Sequence, residues 1–141
     1  GHTGFKGGWL SLFLKHLNSN FDYTSNTIQP SWPDGFDVEV IKFYSDLLLD
    51  NGKDNSWKVL VGMGPLKSAK QADWMRKNLW GINISDEIIN RLDNSEDSIL
   101  EGENICIELI DQIKDLSGID GVHLMGPNCE SQSANIIKAL I

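Results

Sequence analysis

The chain has 141 residues, 40% of them hydrophobic and 23% charged, which suits one ordinary domain with a useful core. Its 12 Lys+Arg against 20 Asp+Glu leave a net charge of −8, which argues against nucleic acid and anionic membranes as partners and fits an acidic, solvated surface. No apolar run approaches the roughly 20 residues of a membrane helix, and WLSLFL lacks the basic leader and cleavage site of a signal peptide, so a soluble, cytoplasmic protein is expected.

The first stretch is GHTGFKGGWLSLFLKHLN, in which Gly1, Gly4 and Gly7 have the G-x-x-G-x-x-G spacing of a turn that receives a dinucleotide pyrophosphate. Such a turn works when a buried strand aims it and a helix N-terminus follows it. The helix is expected over residues 9–17, where Trp9, Leu10, Phe13, Leu14 and Leu17 form an apolar stripe. No strand stands before the turn, and a flexible glycine-rich lead into an amphipathic helix accounts for the same residues. The expectation is that Gly1–Gly8 bind no dinucleotide. Asp22 stands near the distance of a ribose-contacting acid, but SNFDYT is a poor strand.

NSNFDYTSN is polar and rich in turn formers, and it divides the chain into residues 1–23 and 24–141. Beyond it short apolar runs alternate with helical patterns, the signature of βα units and a parallel sheet. The pattern predicts three parallel strands, near Thr24–Gln29, Trp57–Val61 and Val122–Met125, with helices on at least one face. A helix begins near Asp37, capped by its carboxylate and stapled by Phe36 against Ile41, with Val40, Ile41, Tyr44, Leu47 and Leu48 inward. After WKVLV, Gly62 and Gly64 open a loop at the strand's C-terminal end, where parallel α/β folds place ligands; a tight strand-helix connection explains those glycines equally well. Ser68 and Gln71 make an S-x-x-Q capping box for the next helix, which carries Ala69, Ala72, Trp74 and Met75. Another helix follows from Ser85, with Ile88, Ile89 and Leu92 on its inner side. The longest helical pattern turns Ile105, Cys106, Leu109, Ile110 and Ile113 inward, and NCESQSANIIKALI closes the chain as a helix.

Cys106 and Cys129 lie far apart, with neither the spacing of a zinc site nor the density of a disulfide scaffold, so reduced thiols are expected and Cys106 reads as a small core residue. His2, His16 and His123 are scattered, and no metal site is proposed.

Two resemblances bear on function. GHTGFKGGWLSLFL, over about residues 1–18, resembles the start of the CDP-glucose 4,6-dehydratases of the extended short-chain dehydrogenase family. KVLVGMGPLKSAKQADWMRKNLWGINISDEIINRL, EGENICIELIDQI and GIDGVHLMGPN, in that order, resemble the C-terminal third of the methylenetetrahydrofolate reductase family over about residues 24–141. The second resemblance implies part of a (βα)8 barrel whose family carries FAD and passes a hydride from a nicotinamide cofactor through the flavin to methylenetetrahydrofolate. TIQPSW…FDVEV is similar to that family's sixth-strand pattern, in which a glutamine contacts the folate, and Gln29 is carried over for that role. The family has Thr before this glutamine where this chain has Ile28; a glutamine at a strand end also serves as an ordinary satisfied polar residue.

The resemblance implies that most of the flavin surface and the acidic residues of the folate half-reaction come from five earlier barrel strands, so no catalytic residue is assigned. Three readings follow. In the favoured one the chain is a partial barrel of reductase ancestry, composite or truncated, that neither holds FAD nor acts alone. The others are a folate- or flavin-binding module completed by a partner, and a nucleotide-binding fragment of dehydratase type. Because three strands cannot close a barrel, a homo-oligomer is expected.

Overall fold

The computed structural model describes residues 36–54, 58–79 and 81–141. Its helices begin where a short polar side chain takes up free backbone N–H groups, each such cap being worth about 1 kcal/mol. Helix α1 spans Val38–Asp50, and its cap Asp37 accepts from the Val40 N–H at 3.1 Å. Helix α2, Ala69–Asn78, is capped by Ser68, which accepts from the Gln71 N–H at 3.1 Å. The return bond of the expected capping box goes one residue further out: Gln71 Oε1 accepts from the Lys67 N–H at 2.8 Å. Ser85 caps helix α3, Asp86–Asn94, and Asp97 caps helix α4, Ser98–Ile113, accepting from both Ile99 and Leu100. The last helix, α5 (Glu130–Leu140), follows Cys129 and has no side-chain cap.

Strands β1 (Leu60–Met63) and β2 (Gly121–Leu124) pair in parallel, with Leu60 opposite Gly121 and Gly62 opposite His123. The chain is therefore mixed α/β and rich in helix, with two parallel strands among the described residues. The expected third strand, Thr24–Gln29, and the helix over 9–17 lie outside the described residues. Both observed strands differ in extent from expectation. Gly62 stays in the ladder instead of opening the loop, because the Met125 N–H still donates to Met63 O at 2.8 Å two residues later. β2 starts at Gly121, held by Leu60 across the register, and Met125 leaves the ladder after that last bond.

Side chains alternate across a strand, so Val61, Met63, Val122 and Leu124 share one face and Leu60, Gly62, Gly121 and His123 the other. The first face packs into the core with Leu66, Ile105, Ile113 and Ile136. The second has no cover among the described residues: Leu60 is 59% exposed and His123 is exposed. Parallel sheets normally have both faces covered.

Helix α4 organises the covered side. Its expected inward residues, Ile105, Cys106, Leu109, Ile110 and Ile113, are all buried. Arg91 on α3 clamps α4 through Glu101 at 2.7 Å and Glu108 at 2.6 Å. Gly102 of α4 lies against the backbone of Leu66, where an added Cβ would fall 1.8 Å from the carbonyl oxygen. α1 meets the loop before β2 through Ser45, whose Oγ accepts from the buried Gly118 N–H at 3.0 Å. Ser45, not expected on the inner face, is buried there with Ile41 and Leu48, whereas Val40, Tyr44 and Leu47 are only half-buried.

Asp120 locks the N-terminal ends of the strands. Its carboxylate accepts from the Val59 N–H at 2.9 Å and pairs with Lys53 at 3.0 Å and Lys58 at 3.1 Å. The Val59 bond first, then the two ammonium groups, hold the Asp120 carboxyl well below the usual carboxylate range. A carboxyl with a depressed native pKa stabilises the fold above its unfolded value and loses that contribution as pH falls.

Two outcomes are expected. Asp120→Asn lowers the urea midpoint at neutral pH, and its deficit against wild type shrinks as pH drops below about 4, where free aspartate begins to protonate. Gly→Ala in an open helix gains about 1 kcal/mol, but Gly102→Ala should instead lose about 2 kcal/mol from overpacking, read as a lower urea midpoint.

Candidate functional site

Each strand runs into the same tripeptide, Met63-Gly64-Pro65 from the last residue of β1 and Met125-Gly126-Pro127 directly after β2. The two loops touch: a Cβ at Gly64 would lie 2.0 Å from the Met125 carbonyl oxygen, so no side chain fits there. Lys67 ties them from the other side, its Nζ donating to the carbonyls of Pro127 at 2.9 Å and Asn128 at 2.8 Å. Asn128 sits in the left-handed region at φ 53°, which asparagine tolerates better than most residues and which turns its carbonyl toward the lysine side of the loop.

A cavity of about 690 Å³ runs from these loops along β1 to α1 and α2. Phe36, Tyr44, Leu48, Met75 and Ile82 give it apolar walls. Lys58, Lys67, Gln71 and His123 also line it, and no carboxylate does among the described residues. Burial raises the Tyr44 phenol above its ordinary pKa. A largely apolar cleft of this size with a few polar groups is the usual form of a small-molecule site.

The cysteines offer no nucleophile here. Burial pushes the Cys106 thiol up to about 12, and Cys129 adds to the effect. Cys129 borders the cavity, but its Sγ is buried, donates to Gly126 O at 3.1 Å and accepts from Ser133 Oγ at 3.5 Å. Among the described residues no group of three or more His, Cys, Asp or Glu is placed to hold a metal ion.

Gly1, Gly4 and Gly7, the cofactor-binding candidates, lie outside the described residues, as do Asp22 and the folate candidate Gln29. The Gly62–Pro65 loop does border the cavity, and Gly64 is explained by the neighbouring loop's backbone rather than by a ligand. The sequence does not single out Lys67, Gln71 and Tyr44 as site residues; the available signal is the repeated Met-Gly-Pro at the C-terminal ends of two strands, which the structure places side by side.

No protein-family model, no curated protein and no solved structure matches this chain. The likenesses to reductases and dehydratases therefore rest on the quoted residues alone. No helix among the described residues is long and apolar enough to cross a membrane.

In the native protein at pH 8 a thiol reagent should leave Cys106 unmodified for as long as the fold persists, with labelling appearing only in denaturant. Rapid native labelling mapped to Cys106 by mass spectrometry would contradict its burial.

Proposed function

We propose that this chain is a section of a (βα)8-type barrel of methylenetetrahydrofolate reductase ancestry, that it does not reduce folate by itself, and that its bare sheet face is met by a second copy. One observation supports the reading: a parallel strand pair covered by helices on one face and bare on the other, with both C-terminal ends turning into adjoining loops. That is the layout of neighbouring strands in a barrel wall, whose inner face is covered by the remaining strands. A cytoplasmic location goes with this reading.

FAD, the cofactor that the resemblance implies, does not fit the described residues. Its pyrophosphate needs several converging donors, whereas the described side chains at the cavity's polar end offer one ammonium, with two of its three protons already given to Pro127 and Asn128, and the amide of Gln71. A second reading, a folate- or flavin-binding module completed by a partner, draws support from the cavity's place at the C-terminal ends of the strands; there Gln29 would contact folate.

The barrel reading also explains why association should occur. Uncovered strand edges leave N–H and C=O groups that cost about 1–3 kcal/mol each if buried unpaired, and a two-fold copy is the nearest source of partners. Sedimentation of the purified chain should show a dimer or larger species, and FAD titration should leave the protein colourless. A monodisperse monomer contradicts the association, and a stoichiometric yellow complex with reductase turnover contradicts the inactivity.

A further inference from the structure

We infer that the cavity beside β1 binds an amphipathic monoanion, an apolar chain ending in a carboxylate, with Lys67 as the counter-ion. The inference goes beyond the barrel reading and does not require it, since every residue it uses is described.

Charge selects the head group. Acidic residues outnumber basic ones 20 to 12 in this chain, yet the described lining of the cavity carries Lys58, Lys67 and His123 and no acid. Lys58 shares Asp120 with Lys53, at 3.1 and 3.0 Å, and its side chain is 60% exposed at the N-terminal end of the strands. Lys67 has no carboxylate among the described residues; its ammonium rests on two neutral carbonyls, which leaves its full charge and one N–H. Gln71 is joined to the main chain of the same residue and lines the same cavity: its Oε1 accepts from the Lys67 N–H, and its amide NH2 makes no hydrogen bond with another described residue. One ammonium and one amide match a single carboxylate. A pyrophosphate or other polyanion would bring more charge than this end can balance.

The walls select the rest. Phe36, Tyr44, Leu48, Met75 and Ile82 border a space that water fills poorly and an alkyl chain fills well, each buried CH2 being worth about 0.8 kcal/mol. A neutral apolar ligand would leave the Lys67 ammonium without a counter-ion, and a small anion without a tail would leave the apolar walls wet. Only a molecule with both parts satisfies the cavity.

Calorimetric titration of the full 141-residue protein with dodecanoate and with dodecanol tests this. Dodecanoate should bind saturably in the micromolar range and about tenfold more tightly than the alcohol. Lys67→Met should erase that preference and Lys67→Arg should keep it. Because Lys67 also joins two loops, the apolar walls give a second variant: Leu79 lines the cavity yet is 41% exposed, so Leu79→Ser should fold and weaken dodecanoate and dodecanol alike while keeping the preference for the acid. Equal affinity for acid and alcohol overturns the inference. So does no binding of either, the outcome if residues 1–35 or a second copy fill the cavity. A dimer that binds neither ligand overturns this inference alone, and a monomer that prefers dodecanoate overturns the association alone, so the two failures are distinguishable.

Discussion

Much of this structure hangs on one backbone-to-backbone contact, the approach of α4 to the loop leaving β1 at Gly102 and Leu66. Because no side chain separates them there, the helix comes close enough for Ser98 Oγ to donate to Lys67 O at 2.9 Å. That bond and the Gln71 bond to the Lys67 N–H fix the main chain of Lys67 from two sides. Its long side chain can then reach across to Pro127 and Asn128 with little left to chance, and the two post-strand loops become one surface. The cavity's polar end is a product of helix packing more than of loop conformation.

The two ends of the sheet are built on opposite electrostatic plans. At the N-terminal ends an acid, Asp120, gathers two lysines and a backbone N–H, and Lys53 gives up nearly all of its exposure, at 4%, to reach it. At the C-terminal ends a base, Lys67, gathers carbonyl oxygens. The first cluster carries its own counter-ion and ties the starts of both strands together, which suits a fastening. The second has no carboxylate beside its charge among the described residues and borders an apolar space, and that difference separates a structural cluster from a candidate site.

Helices were the legible part of the sequence. Asp37, Ser68 and Ser85 announced their caps, and the inward stripe of α4 follows a 3.6-residue period that nothing interrupts. The two described strands were legible in kind but not in extent, because glycine reads as a turn former and the reason Gly62 stays paired is a partner strand far along the chain. Buried polar residues were hidden for the same reason. Ser45 looks like a surface serine until Gly118, 73 residues away, supplies its donor, and Glu103 looks like a solvated acid until Asn135 meets both of its oxygens. The cavity was least legible of all, since its walls come from α1, β1, α2 and the loop after β2, and no single stretch carries its pattern.

The way β1 and β2 pair also has a kinetic side. Val59 and Asp120 are 61 residues apart, with α2, α3 and α4 between them, so the sheet forms by closing a long loop. Helices of this length organise in about a microsecond, whereas pairings between distant segments come later and slow the whole reaction. The intervening helices shorten the effective loop once they pack, and loop-closure entropy grows only slowly with length. The order that follows is α2 to α4 first, strand pairing last. Until that final step both strands present unpaired edges and apolar side chains, and in that interval a neighbouring chain competes most directly with the protein's own fold.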